Sequence, residues 1–180
     1  MTEFHAKAYK EMAEPHEFGI NSRLERGADG LLVENVIRSG GLYGEYIDRI
    51  VAWLRKAETV AENDQQRQCI HLLADYFHTG DVALWTEFNK IWCTCTAADV
   101  DFILGFVEVY SDPLATKGSF ECIVQITDFE ASKRLQVLSE NAKWFEENAP
   151  ILDIHKRRDV CGIAYKVVSV CAEAGDASPR

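Results

Sequence analysis

Apolar residues return every three or four positions through much of the first half of the chain, and every two positions in several shorter runs. These two periods divide the sequence into helices and strands. A short helix is predicted over residues 2–13, ended near Pro15. Ile20 to Arg26 and Leu31 to Ile37 flank Gly27-Ala28-Asp29-Gly30, and this Gly-bounded turn predicts a β-hairpin over about 20–37. Gly40-Gly41 breaks the chain. From about Leu42 to Ala61, one helical stripe is expected of Tyr43, Tyr46, Ile47, Ile50, Val51, Leu54 and Ala57. Asn63 is suited to cap the next helix, with Gln66 placed to reach back and Cys69, Ile70, Leu73, Tyr76 and Phe77 facing inward. Gly80 ends it, and Asp81 caps a third helix carrying Val82, Leu84, Trp85, Phe88, Ile91 and Trp92. Thr96-Ala97-Ala98-Asp99 predicts a short fourth helix that Gly105 interrupts. A helical layer is therefore expected over about 42–104.

The second half reads differently. In Gly105-Phe106-Val107-Glu108-Val109-Tyr110-Ser111-Asp112-Pro113, apolar residues surround one carboxylate and Asp-Pro closes the run. If the stretch is extended, Phe106, Glu108 and Tyr110 share one face, and Val107 and Val109 point into a core. A carboxylate beside a phenol on one edge can hold an ammonium group and a peptide carbonyl together. On spacing alone, a half-buried strand with a solvated Glu108 is the simpler reading. Gly118 marks a loop, and Phe120 to Ile126 reads as a strand. Thr127 and Glu130 fit a capping box for a helix to about Glu147, with Phe129, Leu135, Leu138, Ala142 and Phe145 inward. A last strand is expected from Ile163 to Cys171. These strand and helix elements span about 105–172. The fold class is α+β, mostly helical with a small mixed β-sheet, and 180 residues suit a single domain or a partial lobe.

Charge narrows the partners. The net charge is −10 with no basic block, which argues against nucleic acid and anionic membrane surfaces and weakly favours cationic ligands. The first residues lack the apolar stretch of a signal peptide, and no apolar run is long enough to predict a membrane span. The six cysteines, scattered through apolar segments, suit free thiols and a cytoplasmic setting.

Candidate chemistry is sparse. His16-Glu17 begins like a zinc-protease helix, but Ile20 stands where HExxH needs its second His, and Asn21 where HExxGH does. Cys93-Thr94-Cys95 and the Cys69/His71 pair have spacings that diverge on a helix, so core thiols are expected. His78, next to a helix end, suits the final carbonyls better than a general base. His155 sits in a charged stretch. No Ser/His/Asp set and no phosphate loop is formed.

The run from Gly105 to Pro113 resembles the GFxExYxDP signature of the dipeptidyl peptidase III family of zinc peptidases. Gly41-Leu42-Tyr43-Gly44, Val60-Ala61-Glu62-Asn63, Tyr76-Phe77-His78-Thr79-Gly80-Asp81 and Ser139-Glu140-Asn141-Ala142-Lys143-Trp144-Phe145-Glu146 are similar to stretches of bacterial members, in the family's order. The resemblance implies a two-lobed peptidase, with this chain in the β-core lobe and zinc on the other, mostly helical lobe. It also implies removal of dipeptides from short peptides, typically in the cytosol, with the peptide lying extended against the β-core. Position by position, the family's substrate-binding Glu and Tyr fall on Glu108 and Tyr110. Glu108 would pair with the free ammonium and Tyr110 would donate to a backbone carbonyl.

The family's zinc motifs, HExxGH and EExxAE, do not occur here; Glu146-Glu147-Asn148-Ala149-Pro150 fails at its last position. Zinc is therefore expected in the complete enzyme and not on this chain. The expectation is a fragment upstream of the zinc motif, inactive alone, with short peptides bearing a free N-terminus and the zinc-bearing lobe as partners. A stand-alone, non-catalytic peptide-binding or interaction module is the alternative, and a metal or redox protein using the cysteines a third.

Overall fold

The computed structural model describes residues 19–160 and 166–175. The helix expected over 2–13, the His16-Glu17 pair and the start of the last expected strand lie outside the described residues. The elements in order are β1 (Ser22–Arg26), β2 (Leu32–Val36), α1 (Gly44–Glu58), α2 (Asp64–Thr79), α3 (Val82–Trp92), β3 (Val100–Glu108) and β4 (Ser119–Thr127). There follow α4 (Phe129–Glu140), α5 (Ala142–Glu147), a 3-10 turn (Asp153–His155) and β5 (Val168–Gly175). The strands form two sheets, β1-β2 and β3-β4-β5.

The fold is α+β, as the sequence pattern predicts. The sheet expected to be mixed is antiparallel in its described pairs. β1 runs antiparallel to β2, with Leu24 opposite Glu34. Thr127 donates its N–H to Asp99 at one end of the β3–β4 pair, and the Phe106 and Phe120 rings meet at the other. Asp128 meets Val167 and Gly175 approaches Phe120, so β5 also runs against β4. Strands β3 and β4 are joined by a loop of ten residues, too short for the crossover that parallel strands need.

The chain divides into two units. One comprises residues 19–98, 103–122 and 174–175; the other comprises 99–102, 123–160 and 166–173. The first holds the core. Cys69, Ile70, Leu73, Tyr76 and Phe77 of α2 are all buried, as their spacing predicts, together with Phe88 of α3 and Ile47 and Leu54 of α1. Aromatic rings chain through it: Tyr76 lies 5.1 Å from both Phe77 and Trp85, and Trp85 lies 5.3 Å from Phe88. The buried Asn21 joins the hairpin to these helices, donating to the Gly80 carbonyl at 3.2 Å.

Local chemistry sets the boundaries. Asn63 Oδ1 accepts the Gln66 N–H at 2.8 Å, while the Gln66 side chain reaches back to the N–H of Glu62 rather than Asn63. Gly80 ends α2 at φ 79°, where a side chain would be strained. Asp81 caps α3 by accepting from Ala83 at 2.8 Å. Three expectations change. Tyr43 and Tyr46, read as part of an inward stripe, are exposed, because only one narrow side of α1 meets α2. The fourth helix is absent: Thr96 to Asp99 is irregular and Val100 opens β3, whose β-branched residues gain more from pairing with β4. Gly105 therefore lies inside a strand and does not end a helix.

In the second unit Thr127 belongs to β4, so the cap of α4 falls to Asp128, which accepts from Ala131 at 2.9 Å. The helix expected to run unbroken to Glu147 is interrupted at Asn141, whose amide folds onto the Val137 carbonyl at 2.7 Å. Phe129, Leu138 and Phe145, read as inward, are exposed, because no described element of this unit packs over α4 and α5 as a second layer. Of the last expected strand, the described part is β5 from Val168, and it runs on past Cys171 to Gly175.

Candidate functional site

The candidate site grows from the end of β3, in the first unit. Gly105 is required by close approach. A Cβ there would stand 2.7 Å from Cη2 and 2.8 Å from Cζ3 of Trp85. Phe106 is 8% exposed, its ring 5.6 Å from Phe120 of β4. On the Glu108 row Phe106 is buried beside Phe120 of the neighbouring strand, while on the other row Gly105 meets Trp85 and Val107 and Val109 are half-buried. Glu108 is the last residue of β3 and is exposed, and its carboxylate makes no hydrogen bond or ion pair to a described residue.

Tyr110 is 68% exposed and lies beyond the strand, in a turn. The period-two argument that joined it to Glu108 therefore stops at Glu108. Both side chains are exposed at the same end of β3, two residues apart, and it is a turn that sets the second.

Two further carboxylates bear on this end of the sheet. Asp112 is 7% exposed and accepts from the N–H groups of Thr116 and Lys117 and from the Thr116 hydroxyl, each at 2.9 Å. Burial alone would raise its carboxyl, but the bonds from Thr116, Lys117 and Leu114 prevail and hold it below the ordinary range. An Asp-Pro followed closely by Thr and Lys is the signal that could have revealed it. Glu121 of β4 is buried, and burial first, then the charge of Glu108, raises its carboxyl. A lone Glu inside an apolar strand was its only mark in the sequence. The Lys117 ammonium is lowered by burial, against the opposing pull of Glu34 and Asp112.

The described cysteines are all free thiols. Cys69 is buried as expected, but Cys93 is exposed and Cys95 half-exposed, so neither is a core thiol; they follow the end of α3, where little packs. His71 has both ring nitrogens engaged, Nδ1 at 2.9 Å from Glu58 and Nε2 at 3.3 Å from Asp75, and Arg55 bridges the same two carboxylates. Among the described residues no three His, Cys, Asp or Glu side chains group as metal ligands. The described residues do not fit a zinc ion. Among the described residues no helix is long and apolar enough to cross a membrane.

Trp85 of α3 thus packs against Gly105 of β3, and the GFxExYxDP run lies at the end of that strand. The family model for peptidase family M49 matches residues 22–155, and the chain belongs to that family. It is 26% identical over 110 residues to dipeptidyl peptidase 3 of Rattus norvegicus, which covers 61% of this chain and 15% of that relative. It is 24% identical over 136 residues to Nudix hydrolase 3 of Arabidopsis thaliana, covering 75% of this chain and 17% of the relative. The solved structure of DPP III from Caldithrix abyssi superposes with a TM-score of 0.74 at 26% identity, covering 98% of this chain and 33% of that one. The structure of dipeptidyl-peptidase III from Corallococcus sp. strain EGB shares the fold, with a TM-score of 0.66 at 20% identity. The chain thus spans about a sixth of these curated relatives and a third of the solved chains.

Proposed function

We propose that this chain is the part of a zinc-dependent dipeptidyl peptidase that holds the N-terminal end of the peptide. The observation that carries the reading is Glu108: an exposed carboxylate at the end of β3, without a described hydrogen-bond partner, on a strand whose glycine and phenylalanine are locked by Trp85 and Phe120. A rigid strand end with a free carboxylate suits a primary ammonium, and fixing the ammonium fixes how many residues lie between it and the cleaved bond. Tyr110 donates to a peptide carbonyl beyond the terminus. The negative net charge adds attraction for cationic peptides. In this reading zinc and the water it activates belong to another part of the enzyme, short peptides with a free N-terminus are the ligands, the zinc-bearing lobe is the structural partner, and the setting is cytoplasmic.

The test is titration of the chain with tetra-alanine and with N-acetyl tetra-alanine. Glu108→Gln is expected to weaken the free peptide by roughly tenfold, the scale of one charge-assisted bond, and to leave the acetylated one nearly unchanged. Equal losses for the two peptides would overturn the reading.

A further inference from the structure

Tyr110 is part of the proposed site, yet the strand that fixes Glu108 does not extend to it. Its backbone is set by Asp112. The Asp112 N–H donates to the Val109 carbonyl at 3.0 Å, which makes Tyr110 and Ser111 the corner residues of a β-turn. The Asp112 carbonyl accepts from Ala115 at 2.9 Å and closes a second turn over Pro113 and Leu114. Pro113 has a fixed φ, which suits the first corner of that turn. The buried Asp112 carboxylate gathers the returning chain. Oδ2 takes the Thr116 N–H, the Thr116 hydroxyl and the Lys117 N–H, and Oδ1 lies 3.4 Å from the Leu114 N–H.

The next residue anchors this loop to the hairpin. Lys117 Nζ donates to the Gly19 carbonyl at 2.9 Å and to the Ser22 hydroxyl at 2.5 Å, and lies 3.9 Å from Glu34. Ser22 is buried and lies 2.5 Å from the same Glu34 oxygen. Gly118 donates to the Ile20 carbonyl at 2.9 Å. The Tyr110 turn is therefore one end of a hydrogen-bonded chain that finishes on β1 and β2, all inside the first unit.

We propose that Asp112 is a positioning residue of the peptide site: through the Val109–Asp112 turn it sets the Tyr110 phenol relative to Glu108. This rests on the peptide-holding reading above. A phenol that must meet a peptide carbonyl needs its backbone fixed to within a fraction of an ångström. Asparagine at 112 keeps the shape but puts an amide, half of it a donor, where three donors now converge. The turn then loosens and Tyr110 loses its aim, while Glu108 on β3 keeps its own. Loss of Asp112 should thus weaken free and acetylated peptides alike, unlike loss of Glu108.

The experiment has two readouts on the whole chain. Amide hydrogen exchange is measured for Asp112 and Lys117 in the wild type and in Asp112→Asn; exchange faster by roughly tenfold or more is expected, the scale of lost bonds to a charged group. Tetra-alanine and N-acetyl tetra-alanine are then titrated into Tyr110→Phe, Asp112→Asn and the double variant. The two single variants are expected to weaken both peptides by similar factors, and the double variant to add less than about twofold to Tyr110→Phe alone. Unchanged exchange, or fully additive peptide losses, would overturn the proposal. Where Asp112→Asn fails to fold, Lys117→Met loosens the same loop from its other end, and the same two criteria apply. Should Glu108→Gln fail to separate the peptides while Asp112→Asn and Tyr110→Phe remain coupled, the terminus reading falls and the positioning role stands.

Discussion

The two units carry a similar proportion of apolar residues and use it in opposite ways. In the first, Leu73 and Ala74 are fully buried, and Trp85 of α3 lies between Tyr76 of α2 and Gly105 of β3. In the second, no described residue is buried, and Phe129, Val137, Leu138, Trp144, Phe145, Leu152 and Ile154 are exposed. A core needs two layers facing each other. The first unit has three helices and strands to supply them, whereas α4 and α5 form one layer. The candidate site lies where the packing is, since Glu108 ends a strand whose Gly105 is held against Trp85.

The sharpest break of this comparison is Leu73→Ala. At a site with no exposure it is expected to cost about 2–5 kcal/mol, whereas Trp144→Ala in the second unit should change stability by about 0.5 kcal/mol or less. Urea unfolding of both variants measures the contrast, and similar losses would erase it. Next comes Gly105→Ala, which drives a methyl into the Trp85 ring and is expected to cost about 1–3 kcal/mol. A Trp85→Leu background, which clears the ring, should recover much of that loss.

The pH dependence of Asp112 sharpens the contrast from the polar side. Its carboxyl in the folded chain is depressed below the value of 3.8 it has when unperturbed. The stability it contributes is therefore fully present above that value and is lost as pH falls through the lower, folded one. Asp112→Asn should be less stable than wild type at pH 7, with the gap closing below about pH 4; a gap independent of pH would contradict this. The two helix caps come next: Asn63→Ala is expected to cost about 1 kcal/mol, while Asp128→Ala, capping a single-layer helix, should loosen α4 locally with little change in the global midpoint. The smallest effect has the opposite sign. The Tyr76 hydroxyl is buried with no hydrogen-bond partner among the described residues, and burial raises its pKa. Tyr76→Phe removes that group without removing the ring and is expected to be neutral or to stabilise by up to about 1 kcal/mol.

The sequence by itself determined the elements whose signals are local. Asn63, Gly80 and Asp81 mark α2 and α3 because caps and left-handed ends act within four residues of themselves. The spacing of Cys69, Ile70, Leu73, Tyr76 and Phe77 showed which side of α2 is buried, since α2 lies among other elements and has an unambiguous inner face. The signature from Gly105 to Pro113 pointed to Glu108 and Tyr110 and to the family. Tertiary structure decided the rest. Pairing with β4 turned Val100 to Leu104 into strand, against the local helical pattern. Phe120, a residue of another strand, supplies the ring beside which Phe106 is buried. Whether an amphipathic helix has anything to pack on is not written in its own period, and so Phe129, Leu138 and Phe145 remained exposed. The role of Asp112 needed the fold most of all, because its carboxylate acts only once Thr116 and Lys117 have turned back to meet it, and Lys117 reaches Gly19 and Ser22 across almost a hundred residues of chain.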